Sequence, residues 1–331
     1  REMLALSMTR LISIFLILLL PLVGACSPLV QRPGVENRSP ELSGNQFITA
    51  DGARLPLKTW SAGEDEQAII IAVHGFNDYR NGFAFPASWW LQNGITTYAY
   101  DQRGFGETEN TGIWATEELL TSDLRSLVNV IKMNKPEKPI YLLGESMGGA
   151  VVMASVTQPD FPDVDGIILS APAVWGWKSL NIFYKSSLWV SAHLFGGITA
   201  SGKGLGIQAS DNIPMLRNLG RDPLFIKQTR LDSVFGLVGL MDTAYDSAEK
   251  LTIPTLVLYG AHDEVIPKKP VENVVSRLPS SADIVLYQEG WHLLMRDLQA
   301  PIVWKDIRSW IADRSLPSGN QITSLPLFPE G

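Results

Sequence analysis

The hydrophobic positions of this 331-residue chain fall into short continuous runs separated by amphipathic stretches. The run at residues 68–73 consists of alanine, isoleucine and valine. It indicates a strand buried on both faces, because a strand with one exposed face alternates apolar and polar positions. Further runs that predict strands lie at 95–100, 139–143, 166–169, 255–259 and 284–287.

Helices are predicted between these runs. The clearest one begins after Thr116, carries one apolar face and stops before Pro136, because proline cannot continue a helix. Others are predicted over 83–92, 148–158 and 299–311. At the start of the domain, Asp51-Gly52 favours a tight hairpin turn between two short strands. The alternation that follows predicts an α/β fold, with a mostly parallel central sheet and helices on both faces.

The composition of the chain predicts where this domain begins and ends. Residues 46–312 form the predicted domain, and residues 26–45, rich in Pro, Ser, Gly and charge, are predicted to be a flexible tether. Residues 313–331 contain several prolines and are predicted to be a disordered tail. Between 172 and 246 the alternation breaks. This aromatic-rich segment is too long for a plain connection, so we expect an inserted helical cap over the carboxyl ends of the strands.

The first residues of the chain predict export. Arg10 precedes an apolar run shorter than the ~20 residues that a membrane-spanning helix needs. The run ends in Val-Gly-Ala-Cys at 23–26, which resembles the lipobox of bacterial lipoproteins. This resemblance implies a signal peptide over residues 1–25, a lipid group on Cys26 and, because Ser27 follows, attachment to the outer membrane of the cell envelope. The alternative is an uncleaved signal anchor with an incidental cysteine.

Charge and cysteine usage exclude several classes of function. The formal net charge is -7, and the sequence contains no cluster of Lys and Arg, so a nucleic-acid partner is not expected. The single cysteine excludes an intrachain disulfide, a Cys-x-x-Cys redox pair and a zinc site built from cysteines. No metal and no organic cofactor is implied.

A Gly-x-Ser-x-Gly pattern at residues 144–148 supplies the candidate nucleophile, Ser146. An apolar run of strand length leads into it, and a run of small residues that favours a helix leads out. This is the layout of a nucleophile elbow, a strand-to-helix turn so tight that small residues must flank the serine. The unpaired N–H groups at the start of the helix then face any negative charge that develops beside the serine.

A serine hydroxyl needs an imidazole base, and the imidazole needs a carboxylate that fixes its tautomer. With a nucleophile elbow the chain order is serine, acid, histidine, each residue in a loop after a strand. His292 is the predicted base, because it follows the serine and comes just after a predicted strand. The other histidines, which do not fit this order and are read as packed or solvated, are His74, His193 and His262.

The predicted acid is Asp263, which lies in the turn after the strand predicted at 255–259. Glu264 is the competing residue. Because successive side chains point in different directions, we expect Glu264 to point away from the site.

Two backbone N–H groups are predicted to bind the oxyanion of the tetrahedral intermediate. One belongs to Met147, directly after the nucleophile, and the other to Phe76, in the loop after residues 68–73. Gly75 has no side chain and lets this loop approach the site. His74 is expected to brace the loop.

Six motifs occur in the order seen in one large family. They are His-Gly-Phe at 74–76, Asp-Gln-Arg-Gly-Phe-Gly at 101–106, Gly-Glu-Ser-Met-Gly-Gly at 144–149, Ser-Ala-Pro at 170–172, Gly-Ala-His-Asp-Glu-Val-Ile-Pro at 260–267 and Gly-Trp-His at 290–292. From about residue 46 to residue 310 the chain resembles the α/β-hydrolases, most closely the branch of monoacylglycerol lipases and lysophospholipases. The resemblance implies a triad of Ser146, Asp263 and His292, with Phe76 and Met147 as oxyanion donors.

Two positions depart from the pattern of that branch. Glu145 stands where the branch often has histidine, and Phe76 is bulkier than the usual residue. Both departures leave every catalytic group in place, and both bear on the shape of the acyl pocket.

The sequence thus predicts a serine hydrolase that cleaves carboxylic esters through an acyl-enzyme intermediate. The resemblance implies monoacylglycerol or lysophospholipid as the substrate, and Cys26 implies a membrane surface as a partner. The aromatic residues of the cap either line a lipid site or pack the core of the cap itself. The alternatives are a peptidase or a soluble-ester hydrolase on the same fold, and a catalytically idle lipid-binding or sensor protein.

Overall fold

The computed structural model of the protein describes residues 27–323. Its strands are β1 (Val30–Gln31), β2 (Glu41–Ser43), β3 (Gln46–Ile48), β4 (Arg54–Trp60), β5 (Ala68–Val73), β6 (Ile95–Tyr100), β7 (Trp114–Ala115), β8 (Ile140–Glu145), β9 (Gly166–Ser170), β10 (Thr199–Ala200), β11 (Thr229–Arg230), β12 (Thr255–Gly260) and β13 (Asp283–Tyr287). Its α-helices are α1 (Ala84–Leu91), α2 (Glu117–Asn134), α3 (Met147–Val156), α4 (Ile182–Phe195), α5 (Ile213–Arg221), α6 (Leu231–Ser247), α7 (Lys268–Val275) and α8 (Ala300–Asp313). Short 3-10 helices lie at Gly63–Asp65, Arg80–Phe83, Trp177–Ser179 and Ala248–Lys250.

Within residues 27–323, nine strands form the central sheet, in the order β13-β12-β9-β8-β5-β6-β4-β3-β2. The strands from β13 to β6 pair in parallel, and the β2, β3 and β4 end of the sheet is antiparallel. The predicted mostly parallel sheet with helices on both sides is therefore confirmed. Because β8 lies in the middle of the sheet, the residue that follows it lies at the centre of the edge formed by the strand ends.

Alternate side chains of the buried strands enter two hydrophobic cores, one on each face of the sheet. Ile69 and Ile71 of β5 belong to the core that contains α2, α3 and α6. Ile70 belongs to the other core, with Trp90 of α1 and Trp310 of α8. Each fully buried side chain of this size contributes roughly 1.5–3 kcal/mol. The continuous apolar runs of the sequence follow from this double burial.

The chain between β9 and β12 forms the cap. Helices α4, α5 and α6 lie in this segment, and α6 packs against α3, the helix that follows β8. Among residues 27–323, no helix combines the length and the hydropathy needed to cross a membrane.

The N-terminal segment differs from the predicted flexible tether over residues 26–45. β1 pairs in parallel with β7, and β2 pairs with β3 at the edge of the central sheet. The side-chain amide of Gln31 donates a hydrogen bond to the carbonyl of Ile113 at 2.7 Å. These partners are distant in sequence, so the local composition of the segment does not reveal them. The predicted signal peptide over 1–25 and the predicted lipidation site, Cys26, lie outside the described residues.

The C-terminal segment also differs from the predicted disorder over residues 313–331. The backbone N–H of Leu286 in β13 donates to the carbonyl of Asn320 at 3.1 Å, and the N–H of Ile322 donates to the carbonyl of Ile284 at 2.8 Å. The segment therefore covers the outer edge of β13, which would otherwise expose unpaired backbone groups. Residues 324–331 lie outside the described part of the chain.

We expect this C-terminal segment to contribute to stability. A chain that ends at Ser315 loses two backbone hydrogen bonds on β13 and the packing of Leu316 and Ile322 on the two cores. Its free energy of unfolding should fall by about 2–4 kcal/mol. Urea denaturation measures this loss against a chain that ends at Thr323. A difference below about 0.5 kcal/mol, the range of neutral surface changes, would contradict the expectation.

Candidate active site

Ser146 occupies the turn between β8 and α3 in a strained backbone conformation. Its φ is 55° and its ψ is -117°, in a region that residues with a side chain rarely adopt. Four hydrogen bonds hold it there. The N–H of Ser146 donates to the carbonyl of Ser170 at 2.9 Å. The carbonyl of Ser146 accepts from the N–H groups of Gly149 and Ala173, both at 2.9 Å, and from the N–H of Ala150 at 3.3 Å.

Two glycines make this turn sterically possible. A Cβ atom on Gly144 would lie 2.4 Å from the carbonyl oxygen of Gly148, and a Cβ on Gly148 would lie 1.9 Å from the carbonyl oxygen of Val73. Both distances are far shorter than van der Waals contact. Only glycine therefore lets α3 start so close to β8 and β5, as the sequence pattern predicts for a nucleophile elbow.

The loop after β5 lies directly against Ser146. A Cβ on Gly75 would lie 3.3 Å from Ser146 Cβ and 3.9 Å from Ser146 Oγ, which shows how closely the loop backbone approaches the serine. Within residues 27–323, the N–H of Phe76 has no hydrogen-bond acceptor. Met147 is the first residue of α3, so its N–H has no acceptor inside the helix. Both N–H groups predicted to bind the oxyanion therefore lie beside Ser146. That of Met147 belongs to the next residue along the chain, and that of Phe76 belongs to the loop that lies against the serine.

His292 and Asp263 form a buried pair. Nδ1 of His292 lies 2.9 Å from Oδ2 of Asp263, and the other carboxylate oxygen accepts from the N–H groups of Val265 at 2.8 Å and Ile266 at 2.9 Å. Burial lowers the pKa of His292, but the charge and hydrogen bond of Asp263 raise it, and the net pKa lies above its ordinary value. Because Nδ1 of His292 is paired with Asp263, Nε2 of the ring is left for other partners.

One cavity of about 980 Å³ is lined by Ser146, His292 and the two residues predicted to donate to the oxyanion, Phe76 and Met147. No hydrogen bond within residues 27–323 joins Ser146 Oγ to the ring of His292. In hydrolases, catalytic hydrogen bonds are often long without substrate and shorten when it binds. The structure thus brings the predicted base and acid into direct contact and places the predicted nucleophile on the same cavity wall.

The walls of this cavity are mostly apolar and come largely from the cap. Cap residues that line it include Trp175, Tyr184, Leu188, Phe225, Val238 and Met241. Other aromatic residues pack within the cap, as the rings of Trp177 and Phe235 do at 5.1 Å. Some of the cap aromatics therefore line the cavity, and others pack the cap itself.

The remaining candidates lie in other environments. Nε2 of His74 accepts from the N–H of Gln102 at 3.0 Å, and its Nδ1 donates to the carbonyl of Gly75 at 2.8 Å, so this buried ring braces the loop as predicted. His193 stacks on Trp189, and His262 is exposed and stacks on a neighbouring tryptophan. Glu264 turns away from His292 and accepts from the N–H of Gln208 at 2.7 Å.

A buried triad of charges, Asp78, Glu145 and Arg296, borders the cavity, and two of its members, Asp78 and Arg296, are not predicted from the sequence. Nη2 of Arg296 donates to Asp78 at 2.6 Å and to Glu145 at 2.8 Å. Burial raises the pKa of Glu145 above its ordinary value, although the Arg296 charge opposes the shift. From the sequence, Glu145 is only a departure from the family pattern. Its partner lies 151 positions away along the chain, so no local pattern signals the contact.

Comparison with known proteins identifies the family. The family model described as "Serine aminopeptidase, S33" matches residues 64–299. The chain belongs to this family. Its matched region contains Ser146, Asp263 and His292, so all three residues of the predicted triad lie inside it.

Relatives of this hydrolase family align along most of the chain. A monoacylglycerol lipase from Mycolicibacterium smegmatis is 25% identical over 275 residues, which cover 81% of this chain and 96% of the relative. A monoglyceride lipase from Rattus norvegicus is 25% identical over 286 residues, covering 82% and 91%. The crystal structure of a soluble variant of monoglyceride lipase from Saccharomyces cerevisiae superposes with a TM-score of 0.70 at 19% identity, covering 87% of this chain and 99% of that one. This last likeness concerns the fold alone.

We expect the charged triad to be essential for stability. Replacing Arg296 with Met leaves the carboxylates of Asp78 and Glu145 buried without their cation, which should lower the free energy of unfolding by about 3–5 kcal/mol. Urea denaturation at neutral pH tests this. The control is Arg277→Met, which breaks an exposed ion pair with Glu249 and should cost at most about 1 kcal/mol. Equal losses in the two variants would contradict the expectation.

Proposed function

We propose that this protein is a serine hydrolase that cleaves carboxylic esters of lipids, with monoacylglycerol or lysophospholipid as the substrate. One observation carries the proposal. The strained turn at Ser146 and the ring of His292, which is paired with Asp263, border the same large apolar cavity. The names of the relatives, which are lipases of monoacylglycerols, support the substrate class.

In the proposed reaction, Nε2 of His292 takes the proton of Ser146 Oγ while Oγ attacks the ester carbonyl carbon. The carbonyl oxygen becomes an oxyanion and accepts hydrogen bonds from the N–H groups of Met147 and Phe76. The tetrahedral intermediate then expels the alcohol, which receives the proton from His292, and leaves an acyl group on Ser146. Asp263 keeps the imidazole in the required tautomer and stabilises its positive charge.

Water completes the cycle. His292 takes a proton from water, the hydroxide attacks the acyl carbonyl, and Ser146 leaves with the proton that His292 returns. The products are a fatty acid and the enzyme in its original state. The apolar cavity fits this role because an acyl chain buries its methylene groups there at about 0.8 kcal/mol each.

We also propose that the mature chain begins at Cys26 and is lipid-anchored in the bacterial cell envelope. The support is the Val-Gly-Ala-Cys sequence at 23–26 behind a short apolar run. Mass spectrometry of the N-terminal peptide from the expressed protein tests this directly. An acylated Cys26 supports the anchor, and a peptide that retains residues before Cys26 contradicts it.

The first prediction for catalysis concerns the nucleophile. Ser146→Ala should lower kcat/KM for monoacylglycerol hydrolysis by about 10³-fold or more, because the acyl-enzyme cannot form. A fluorophosphonate should label the native protein at Ser146 and leave the variant unlabelled. Unchanged unfolding of the variant serves as the control.

The same assay separates the rival functions. Turnover of aminoacyl anilides without turnover of monoacylglycerol would favour a peptidase, in accordance with the family's description. Failure of both the label and every ester would favour a catalytically idle protein.

The second prediction concerns pH. Because the charge and hydrogen bond of Asp263 raise the pKa of His292 despite its burial, the ring stays protonated to a higher pH than a free histidine. Protonated His292 cannot act as a base, so kcat/KM should fall as the pH drops through a midpoint above about 6.5. Asp263→Asn should move that midpoint to lower pH and reduce the plateau by about 10⁴-fold. An unshifted midpoint in this variant would contradict the assignment.

A further inference from the structure

A segment of the cap is hydrogen-bonded to the two loops that carry the predicted base and the predicted acid. We call residues 208–212, which lie between β10 and α5, the cap strap. The carbonyl of Ala209 accepts from the N–H of Leu293 at 2.9 Å. The N–H of Gln208 donates to the carboxylate of Glu264 at 2.7 Å. These two partners directly follow the base and the acid along the chain, so the strap is joined to both loops.

Asp297 connects the cap strap to the residue that precedes the predicted base. Its Oδ1 accepts from the hydroxyl of Ser210 at 2.5 Å, and its Oδ2 accepts from the N–H of Trp291 at 2.8 Å. Asp297 is 4% exposed and Ser210 is fully buried, so solvent has little access to either bond. Burial raises the pKa of Asp297 to about 6. The carboxylate is therefore ionised at pH 8, and both of its oxygens act as acceptors.

The backbone position of His292 depends on bonds made by its two neighbours. His292 lies between β13 and α8, where residues 288–299 form neither a helix nor a strand. Within the described part of the chain, its own backbone N–H and carbonyl make no hydrogen bond to other backbone groups. Trp291 is instead held by Asp297, and Leu293 is held by the cap strap. A shift of either neighbour would therefore move the imidazole.

We propose that Asp297 is a positioning residue for the base. It fixes the loop that carries His292 against Ser210 of the cap strap, and this contact keeps the imidazole aligned with Asp263 and Ser146. The cap thus helps to build the catalytic geometry in addition to covering the cavity. Asp297 does not line the cavity, so its effect on the reaction must pass through the base. The inference rests on the proposed hydrolase reaction, in which a displacement of about 1 Å can cost about 10²-fold in rate.

Steady-state kinetics at pH 8, with a short-chain monoacylglycerol in solution as the substrate, test this role. Asp297→Ala should lower kcat by about 10–100-fold and change KM by less than about twofold, because a misaligned base slows proton transfer without altering substrate binding. Asp297→Asn should keep at least about a third of the native kcat, because its amide oxygen can accept from Trp291 and its amide nitrogen can donate to Ser210. Equal losses in the two variants would contradict a role based on these hydrogen bonds.

Asp306→Ala is the matched control. Asp306 is fully buried on α8, and its two carboxylate oxygens accept from the hydroxyl of Tyr287 at 2.8 Å and from the N–H of Ser318 at 2.9 Å. These are the same two kinds of donor that Asp297 has, but Asp306 lies away from the cavity lining. The two alanine variants should therefore lose similar stability in urea, and only Asp297→Ala should lose kcat. Equal losses of kcat in both variants would overturn the proposal.

Ser210→Ala tests the contribution of the cap. It should lower kcat by about three- to tenfold at an unchanged KM, and adding it to Asp297→Ala should lower kcat no further, because both residues act through one hydrogen bond. An unchanged kcat in the single variant, or losses that multiply in the double variant, would contradict the proposal. Since Ser210→Ala removes a single hydroxyl, it still provides the test if Asp297→Ala does not fold.

A proton NMR signal separates this inference from the proposed function. The proton that Nδ1 of His292 shares with Asp263 should resonate downfield of the amide protons, and His292→Gln should remove the signal. In Asp297→Ala the signal should move upfield or broaden through exchange with water, whereas in Asp306→Ala it should remain. If the native protein hydrolyses no ester, the proposed function fails, and this signal still decides whether Asp297 holds the ring. An unchanged signal in Asp297→Ala would contradict the inference.

Discussion

The backbone hydrogen bonds around Ser146 are the constraint on which the site depends. A positive φ at a residue with a side chain costs about 1–3 kcal/mol, and the four bonds that hold the serine contribute about 0.5–1.5 kcal/mol each. Two of these bonds reach β9 and the loop after it, so the turn is stable only within the assembled sheet. The shape of the candidate active site is thus a property of the parallel core rather than of the turn by itself.

The same sheet brings the other candidate catalytic groups together. β5, β8, β12 and β13 are parallel and end at one edge, and Phe76, Ser146, Asp263 and His292 each come within a few residues of one of these ends. A parallel sheet therefore converts residues more than two hundred positions apart into neighbours around one cavity. The cap then closes this edge from above and supplies most of the apolar wall.

Much of this was predictable because the relevant signals are local. Continuous apolar runs such as 68–73 predicted the buried strands, and glycines around Ser146 predicted the tight turn whose contacts leave no space for a side chain. The order of Ser146, Asp263 and His292 along the chain predicted the pair that the structure brings to 2.9 Å. Where each signal resided in a few neighbouring residues, sequence reasoning was sufficient.

Long-range polar contacts were not predictable in this way. Arg296 pairs with Asp78 and Glu145 across separate parts of the chain, and nothing in their local sequence indicates it. The segments before residue 46 and after residue 313 seemed too polar to fold, yet backbone pairing with β7, β3 and β13 holds parts of both. Hydrogen bonds to distant partners hold these segments, and such bonds leave no hydrophobic pattern in the local sequence from which the structure could be predicted.

The contact between Gly148 and the carbonyl of Val73 also determines where the sequence can diversify. With 1.9 Å available for a Cβ, position 148 tolerates no other amino acid, and Gly144 is constrained in the same way. Cap positions such as Trp175 and Phe225 touch the cavity without supporting the sheet. Engineering of chain-length selectivity should therefore concentrate libraries on the cap and keep the elbow invariant.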